Sequence, residues 1–397
     1  MQTNINRHKT KSSERTRIPN RQGNKALKKS TLNPNLLIQQ AVVSSLKTIT
    51  VETRFENIPL NSQLKSNILK MGFVSPTEIQ DRTFDKLIEG ANLIGIANTG
   101  TGKTGAFLIP ILENLLHNED NKFQSLIIVP TRELALQVYD EFKKLSEGLK
   151  LRAACFIGGT SVEKDIRSLT NYFDLVIGTP GRLLDLHNRG SLKTNRFEVL
   201  VLDEFDKMLD MGFIRDIREL VGAMKQRKQT LLFSATKDAK QQPIITEIVK
   251  DPFIVEINSG DKSSKNVEQD IIRVAEGQDK FKLLMGLLDG DFNKVILFTE
   301  TKHLANRLSK RLNESGIKSD QIHGNKSQNY RVNALEKFKT GNIRVLVATD
   351  VAARGIDINN VSLVINYQVP NDFDTYIHRV GRTGRAGKTG TAYTFVD

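Results

Sequence analysis

A glycine-rich turn at residues 97–104, Ala-Asn-Thr-Gly-Thr-Gly-Lys-Thr, has the composition of a phosphate-binding loop. An apolar run precedes this turn and a helix-like segment follows it. Gly100 and Gly102 therefore let the backbone curl and turn its N–H groups toward a phosphate at the positive end of a helix. Lys103 can then reach the β- and γ-phosphates of a nucleotide, and the Thr104 hydroxyl can ligate Mg²⁺. The alternative is an ordinary glycine-rich turn with a solvated lysine.

Two acids at the end of a second apolar run supply the metal-binding half of such a site. Residues 199–202 are apolar and are followed directly by Asp203 and Glu204. We predict that Asp203 binds Mg²⁺, directly or through water, and that Glu204 is the general base for the attacking water. Taken alone, two acids after a strand more often cap a helix. Their coexistence with Lys103 favours the catalytic interpretation.

Three arginines lie close together in residues 378–385, His-Arg-Val-Gly-Arg-Thr-Gly-Arg, near the end of the chain. Two glycines give this segment flexibility. Arginines that reach a nucleotide from another domain neutralise charge in the transition state and make hydrolysis depend on domain closure. The segment is therefore a candidate source of such arginine fingers. The alternative is a basic helix start that only binds phosphate.

These motifs need a framework that brings distant segments together, and the sequence predicts parallel sheets. From about Thr53 onward, short aliphatic runs alternate with polar turns and helix-like stretches, which is the βαβα pattern of α/β domains. In such sheets ligands bind beyond the carboxyl ends of the strands, where the polar clusters of this chain fall. The predicted strands are residues 92–97, 126–129, 175–177, 199–202 and 231–233 in one group, and 295–298, 345–348, 363–365 and 392–395 in a second.

A polar stretch without hydrophobic pattern separates the two groups of strands. The length of 397 residues is typical of a chain with two domains. We predict a basic tail at residues 1–51, a first domain at 52–257, a linker at 258–268 and a second domain at 269–397. Because the chain stops after an apparent strand that no helix covers, we expect the second domain to be truncated.

The net charge of +13 is concentrated at the start of the chain. Residues 1–50 hold ten Lys and Arg against the single acid Glu14, and the first thirty are almost devoid of apolar side chains. This predicts a disordered tail suited to a polyanion, with a solubility tail or a transit peptide as alternatives. The single cysteine, Cys155, excludes an internal disulfide. The lack of an apolar run of about 18 residues predicts a cytoplasmic protein.

With these motifs in place, the chain resembles the DEAD-box ATP-dependent RNA helicases of superfamily 2 from about Phe55 to its end, and most closely the bacterial members with a minimal core. Residues 72–80 match the adenine-recognition motif of that family. The resemblance implies two RecA-like domains, adenine contacts from Gln80 and Phe55, and a ribose contact from Asp357. The implied cofactor-binding residues are Phe55, Thr77, Gln80, Thr99, Gly100, Thr101, Gly102, Lys103, Thr104 and Asp357, with Mg²⁺ on Thr104 and Asp203.

The resemblance also assigns roles to the remaining motifs. The implied catalytic residues are Lys103, Asp203, Glu204 and the two arginine fingers, Arg382 and Arg385. The residues implied in coupling the two domains are Asp206, Ser234, Thr236 and His378. Hydroxyls, guanidinium groups and glycine amides would bind the RNA backbone without base-specific contacts. These RNA-binding residues are Pro130, Thr131, Arg132, Gly159, Thr179, Gly181, Arg182, Thr299, Gln328, Arg331, Thr349 and Asp350.

One position departs from the family pattern. The acidic tetrad reads Asp-Glu-Phe-Asp at residues 203–206, with Phe205 where the family has alanine. The acidic residues of the tetrad are retained, so we expect ATP hydrolysis to be retained. A bulky ring beside residues 234–236 could alter how hydrolysis is coupled to strand separation.

The expected function is ATP-dependent separation of short RNA duplexes by an RNA-stimulated ATPase. We expect a monomer that binds single-stranded RNA and has ribonucleoprotein partners. Two alternatives remain open. One is an ATP-gated RNA clamp or assembly scaffold that does not unwind, and the other is a P-loop ATPase that acts on DNA or on proteins.

Overall fold

Two α/β units, each built on a parallel sheet, make up the part of the chain that the computed structural model describes. This part comprises residues 32–40, 53–98, 100–117, 124–238, 241–257, 266–350, 361–384 and 389–397. The predicted fold class is confirmed. None of the helices in these ranges is both long enough and apolar enough to cross a membrane.

The first unit alternates strands and helices. Its strands are β1 (Leu93–Ile96), β2 (Gln124–Ile128), β3 (Ala153–Phe156), β4 (Leu175–Gly178), β5 (Phe197–Leu202), β6 (Gln229–Ser234) and β7 (Phe253–Glu256). Its helices are α1 (Ser62–Lys70), α2 (Glu78–Ile88), α3 (Lys103–His117), α4 (Arg132–Leu145), α5 (Val162–Ser168), α6 (Pro180–Asn188), α7 (Phe205–Asp210), α8 (Ile214–Ala223) and α9 (Gln242–Ile248).

The second unit repeats the same alternation on a smaller scale. Its strands are β8 (Val267–Arg273), β9 (Val295–Phe298), β10 (Ser319–Ile322), β11 (Val345–Ala348), β12 (Leu363–Asn366) and β13 (Gly390–Val396). Its helices are α10 (Lys280–Leu288), α11 (Lys302–Glu314), α12 (Gln328–Lys339) and α13 (Phe373–Val380).

The strand order decides which motifs become neighbours. The first sheet has the order β3-β4-β2-β5-β6-β1-β7 and the second has the order β10-β11-β9-β12-β13-β8. All described strand pairs are parallel; Leu93 of β1, for example, lies between Leu231 of β6 and Phe253 of β7. The carboxyl ends of the strands therefore lie along one edge of each sheet.

Helices cover both faces of each sheet, which explains why the central strands are apolar throughout. In β5, Leu200 packs in the apolar cluster on one face, with Phe205, and Val201 packs in the cluster on the other face, with Phe107. The second sheet likewise separates two buried clusters.

Every predicted strand lies on an observed one, and the four strands that were not predicted are the edge strands β3, β7, β8 and β10. An edge strand needs less apolar surface than a central one. β10 reads Ser-Asp-Gln-Ile, and β8 begins with buried Val267 beside exposed Glu268. β8 also begins within residues 258–268, so the end of the predicted linker belongs to the second sheet.

Residues 32–40 lie within the range predicted as a tail, yet they contact the second unit. Residues 34–37 form one 3₁₀ turn, and Gln39 pairs antiparallel with Gln269 of β8. The rest of residues 1–51 is outside the described ranges.

Candidate functional site

The sheet orders divide the predicted motifs into two groups. In the first unit, the ends of the neighbouring strands β5, β6 and β1 carry Asp203, Ser234 and the loop before Lys103. The ends of β2, β4 and β3, on the other side of β5, carry Thr131, Thr179 and the glycines after Phe156. One half of the sheet edge therefore carries the residues predicted to bind phosphate and Mg²⁺, and the other half carries residues predicted to bind RNA.

The phosphate loop is shaped by its glycines and anchored by its lysine. Gly100 and Gly102 have φ of 85° and 91°, which favour glycine. A Cβ on Gly102 would also lie only 2.6 Å from the Thr77 hydroxyl. Lys103 is buried, and its Nζ donates to the Ala97 carbonyl at 2.8 Å. The loop thus brings Lys103 and half-buried Thr104 to the start of α3.

Gln80 connects helix α2 to this loop. Its Oε1 accepts from the Thr77 N–H at 2.9 Å, and its Nε2 donates to the Gly102 carbonyl at 3.0 Å. Thr101, the next predicted contact, donates its hydroxyl to the Asn98 carbonyl at 2.9 Å. The predicted adenine-recognition residues Thr77 and Gln80 therefore also support the phosphate loop, a role that the sequence did not reveal.

Phe55 packs inside the first unit. Its side chain is buried in the core, and its ring packs edge-on against Phe84 with the centroids 6.3 Å apart. Burial of its apolar surface is more favourable than exposure at the site. The stacking of an adenine on Phe55 stays a prediction.

The acidic pair occupies a buried and strained position at the end of β5. Asp203 accepts from the Glu204 N–H at 2.9 Å, and Glu204 has the left-handed backbone φ of 55°. Backbone strain of this kind in a residue other than glycine is concentrated at functional sites. Burial raises the pKa of Asp203 to about 6, although the charge of Lys103 opposes the shift.

Lys207 is the partner of Glu204 and was not predicted from the sequence. Its Nζ lies 2.6 Å from Glu204 Oε1, and both side chains are almost fully buried. Glu204 Oε2 is also buried and has no hydrogen-bond partner among the residues described. One carboxylate oxygen is therefore held by a cation while the other is available to accept a proton.

The donor set fits Mg²⁺. Asp203 and Thr104 offer hard oxygen ligands, and Mg²⁺ is commonly held by one or two protein oxygens together with substrate phosphates and water. The described ranges contain no group of three or more metal-ligating side chains, as a protein-only cage would require.

Asp206 links the acidic segment to the end of β6. Its Oδ2 accepts from the N–H groups of Ala235 and Thr236 at 3.0 and 3.1 Å and from the Thr236 hydroxyl at 3.2 Å. The Ser234 hydroxyl donates to the Thr236 carbonyl at 2.9 Å. Phe205 is fully buried in an apolar core cluster. The hydrogen bonds of Asp206 to residues 235 and 236 are made beside this ring in the sequence and do not involve it.

The arginine segment contains an anchor that the sequence did not reveal. Arg379 of α13 makes a bidentate ion pair with Asp350, with N–O distances of 2.6 and 2.8 Å. It also donates to Asn366 at 3.1 Å. Asp350, predicted to bind RNA, therefore has its carboxylate occupied by Arg379, which fixes α13 against the end of β11.

Arg382 follows α13 and is largely buried, and its Nε donates to the carbonyl of half-buried His378 at 3.2 Å. Burial lowers the pKa of Lys207, and the positive charge of Arg382 lowers it further. Arg382 belongs to the second unit and Lys207 to the first. The predicted residues Thr99, Asp357 and Arg385 lie outside the described residues.

Several predicted RNA-binding residues of the first unit support turns at the strand ends. Thr131, after buried Pro130, caps α4 by accepting from Leu134 N–H at 3.3 Å. Gly159 has a φ of 83°, and any side chain there would collide with the Arg132 guanidinium. Thr179 accepts weakly from the Gly158 N–H at 3.4 Å.

The remaining residues of this group differ in accessibility. Gly181 is exposed in the first turn of α6. Arg182 is buried, forms an ion pair with Asp165 and donates to the Thr160 carbonyl at 2.8 Å. In the second unit, the hydroxyl of buried Thr299 donates to the Thr301 carbonyl at 3.3 Å. The Thr349 N–H donates to the Ile322 carbonyl at 3.2 Å.

Gln328 and Arg331 make contact between the two units. Gln328 Nε2 donates to Glu133 Oε1 at 3.0 Å, and Arg331 Nη2 lies 3.0 Å from Glu133 Oε2. Glu133 was not predicted from the sequence as a site residue. These three buried side chains join α4 to α12.

Two family models match this chain, and known RNA helicases are similar to it in sequence. The DEAD/DEAH box helicase family model matches residues 77–244, and the helicase conserved C-terminal domain model matches residues 279–387. The ATP-dependent RNA helicase CshA of Listeria monocytogenes is 44% identical over 345 residues, which cover 87% of this chain and 66% of that protein. The DEAD-box ATP-dependent RNA helicase CshA of Geobacillus kaustophilus is 41% identical, with 87% and 73% covered. The chain thus spans about two thirds of the first relative's length.

Solved structures are also similar. A double-deletion form of Mss116p bound to ssRNA and AMP-PNP superposes with a TM-score of 0.78 at 30% identity, covering 87% of this chain and 75% of that one. S. cerevisiae Dbp5 bound to RNA and ADP BeF3 gives a TM-score of 0.75 at 30% identity, with 86% and 89% covered.

Proposed function

This chain belongs to the DEAD-box ATP-dependent RNA helicases, and we propose that it hydrolyses ATP in response to RNA and separates short RNA duplexes. In this proposal its two domains close around ATP and single-stranded RNA. The observation that carries the proposal is the contact between the two units, in which Gln328 Nε2 donates to Glu133 Oε1 and Arg331 Nη2 lies 3.0 Å from Glu133 Oε2.

The first domain would bind ATP through the loop before α3. The backbone N–H groups and Lys103 would hold the phosphates, and Gln80 would keep the loop in shape while it contacts the adenine edge. Mg²⁺ would be held by Asp203 and Thr104 and would neutralise phosphate charge. Glu204 would take a proton from the attacking water through the oxygen that Lys207 does not bind.

The second domain would complete the site on closure. Arg382 and Arg385 would stabilise the charge that develops on the transferred phosphoryl group. RNA would lie along the other half of the sheet edges, near residues such as Thr131, Gly159, Thr179 and Thr349. Its binding would favour the closed arrangement, because it contacts both domains. A strand bent to fit this surface would no longer stack well in a duplex.

Several finer features belong to the same proposal. We propose that the protein is a monomer of the bacterial minimal-core type with an Asp-Glu-Phe-Asp acidic motif, and that it acts in the cytoplasm with ribonucleoprotein partners. We keep residues 52–257 and 269–397 as the approximate domains, although β8 begins at Val267.

The test compares ATP hydrolysis without nucleic acid, with single-stranded RNA and with single-stranded DNA, and measures displacement of a strand from a short RNA duplex. We expect stimulation by RNA alone together with strand displacement. Glu204→Gln should reduce turnover by about 10²–10⁴-fold while ATP still binds. Arg382→Ala should lose on the order of 10³-fold in RNA-stimulated turnover. Arg218→Ala, which removes an exposed ion pair with Glu247, is the matched control.

Each alternative gives a different result. Stimulation by RNA without strand displacement would indicate an ATP-gated clamp. Equal stimulation by DNA, or none by either polymer, would favour an ATPase that acts on other substrates. Undiminished RNA stimulation in Arg382→Ala would refute the arginine-finger role.

A further inference from the structure

Residues 33–39, which we call the docked segment, lie against the second domain although they precede both regions that the family models match. The Gln39 N–H donates to the Gln269 carbonyl at 2.9 Å, and the Gln269 N–H donates to the Gln39 carbonyl at 2.8 Å. An edge strand exposes backbone groups that need partners, and these two bonds supply some of them to β8. The docked segment therefore has a defined register on the second sheet.

Leu37 is the apolar anchor of the docked segment. Its side chain is completely buried and belongs to the same apolar cluster as Tyr376 and Val380 of helix α13. Ile38, the next residue, is 51% exposed. The docked segment thus contributes one side chain to the part of the core in which α13 is packed.

Tyr376 adds a polar contact between α13 and the docked segment. Its hydroxyl lies 3.2 Å from the Leu37 carbonyl oxygen and 2.9 Å from Gln269 Oε1. Gln269 Nε2 in turn donates to Gln39 Oε1 at 3.2 Å. Tyr376 is buried, and loss of a hydrogen-bond partner by a buried polar group is costly. The docked segment therefore holds α13 by apolar packing and by hydrogen bonds.

Helix α13 leads directly into the arginine segment. Arg379 pairs with Asp350, and the Nε of Arg382, just after the last turn, donates to the His378 carbonyl at 3.2 Å. Tyr376 lies three residues before Arg379, on the same side of the helix. The docked segment and Asp350 thus hold neighbouring turns of α13 from two different elements. The place of the Arg382 guanidinium depends on where these contacts fix the helix.

We propose that Leu37 and Tyr376 are positioning residues for Arg382, and that the docked segment sets the orientation from which Arg382 reaches the transferred phosphoryl group. This inference rests on the arginine-finger role in the proposed function. A misplacement of about 1 Å can cost about 10²-fold in rate, so loss of docking should lower turnover. ATP affinity should change little, because Lys103 and Thr104 belong to the first domain.

The first measurement tests docking by hydrogen exchange on the full chain without ligands. Leu37→Ala removes a buried side chain, so protection of the Gln269 amide should fall about tenfold or more. Ile38→Ala is the matched control at an exposed position, and Leu37→Met, which nearly conserves volume, should keep the protection. Unchanged protection of residues 295–298 shows that the second domain remains folded. Equal Gln269 protection in Leu37→Ala and Ile38→Ala would overturn the proposal.

The second measurement is steady-state ATP hydrolysis at saturating RNA. Leu37→Ala should lower turnover about tenfold, while the KM for ATP and the RNA concentration for half-maximal activity stay within about twofold. Tyr376→Phe, which removes only the hydroxyl, should lower turnover by a smaller factor. Leu37→Met and Ile38→Ala should keep normal turnover. In an Arg382→Ala background, Leu37→Ala should have little further effect, because the group that it positions is absent.

Three results would overturn the positioning role. One is normal turnover in a Leu37→Ala protein that has lost protection at Gln269. Another is an undiminished effect of Leu37→Ala in the Arg382→Ala background, which would mean that the docked segment acts on something else. The third is a rise in KM that parallels the fall in turnover, as a general structural effect would give. The proposed function is tested separately, by RNA stimulation of Arg382→Ala with the docked segment intact.

Discussion

Arg331 of the second domain forms an ion pair with Glu133 of the first, with Nη2 3.0 Å from Oε2. Gln328, one turn earlier on α12, donates to the other oxygen of the same carboxylate at 3.0 Å. Burial lowers the pKa of Arg331, and the charge of Glu133 opposes this shift. Glu133 lies in the first turn of α4, beside the predicted RNA-binding residue Arg132. A contact between domains is thus placed next to the surface proposed for RNA.

Arg331→Met should weaken the response to RNA. The substitution leaves Glu133 buried without its cationic partner in the closed arrangement, and loss of one partner of a buried pair costs about 3–5 kcal/mol. We expect the RNA concentration for half-maximal ATPase activity to rise at least about tenfold, while ATP affinity without RNA stays unchanged. The measurement is an RNA titration of ATPase activity beside a nucleotide-binding titration.

A double-mutant cycle separates this pair from a general structural effect. In Glu133→Gln combined with Arg331→Met, the loss should be smaller than the sum of the two single losses, because the same interaction is removed twice. Strictly additive losses would contradict a direct role for the pair in closure.

Lys103→Ala should abolish ATP binding and hydrolysis. In the structure the lysine is buried and its Nζ donates to the Ala97 carbonyl, so the loop loses one internal hydrogen bond as well as its phosphate-binding cation. We therefore expect a stability loss of only about 1 kcal/mol. Nucleotide binding is measured by fluorescence and folding by thermal denaturation. Normal turnover by a folded Lys103→Ala protein would remove the nucleotide site from this loop.

The sequence predicts the framework well because the central strands are buried on both faces. Val295–Phe298 and Val345–Ala348 are continuous apolar runs, and the structure has both strands at those residues. Edge strands such as β3 and β10 contain small or polar residues, and only their neighbours in the sheet identify them. The docking of Leu37 was not predicted, because the short apolar run Leu-Leu-Ile at residues 36–38 does not by itself identify the surface that it contacts.

The sequence predicts which residues belong to the candidate site better than it predicts the contacts that those residues make. Motif positions identify Lys103, Asp203 and Glu204, because their chemistry depends on the local chain. Pairings such as that of Asp350 with Arg379 depend on which strands become neighbours. The burial of Phe55 against Phe84 likewise depends on how α2 packs on the sheet.

Lys207→Met should lower turnover with little effect on ATP affinity. Lys207 Nζ holds Glu204 Oε1 at 2.6 Å, so without the cation the carboxylate can turn away from the attacking water. A small misplacement of a catalytic group can cost about 10²-fold, and we expect a 10- to 100-fold fall in turnover. Steady-state kinetics at saturating RNA measures turnover and the KM for ATP separately.

Two further variants make the Lys207 prediction specific. Lys207→Arg keeps the positive charge and should restore most of the turnover. In a Glu204→Gln background, Lys207→Met should have little additional effect, since the group that Lys207 positions is already inactive. A large further loss in that background would show that Lys207 acts on something other than Glu204.

Phe205→Ala should destabilise the first domain without uncoupling it. The ring is fully buried among apolar side chains, and removal of a buried phenylalanine ring typically costs about 3–5 kcal/mol. The hydrogen bonds from Ala235 and Thr236 to Asp206 do not involve the ring. Thermal denaturation should show the loss of stability, and the number of ATP molecules hydrolysed per strand displaced should stay within about twofold at a temperature where both proteins are folded. A lower yield of displaced strands per ATP would show that Phe205 takes part in coupling.

Asp203→Asn should stabilise the ligand-free protein at neutral pH while it abolishes hydrolysis. Burial raises the pKa of Asp203 from 3.8 to about 6, with Lys103 opposing and Glu204 adding to the shift. Because the folded protein holds this proton more tightly than the unfolded chain does, stability falls as the pH rises from about 4 to 6, and the loss is complete at pH 7. A shift of about two units corresponds to about 3 kcal/mol, so Asn should raise the Tm at pH 7.5 by about 5 °C or more. At pH 4 the two proteins should melt at nearly the same temperature, because Asp203 is then protonated. Thermal denaturation between pH 4 and pH 7.5 makes the comparison, and a Tm difference that does not change with pH would show that burial of this carboxylate is not what costs stability.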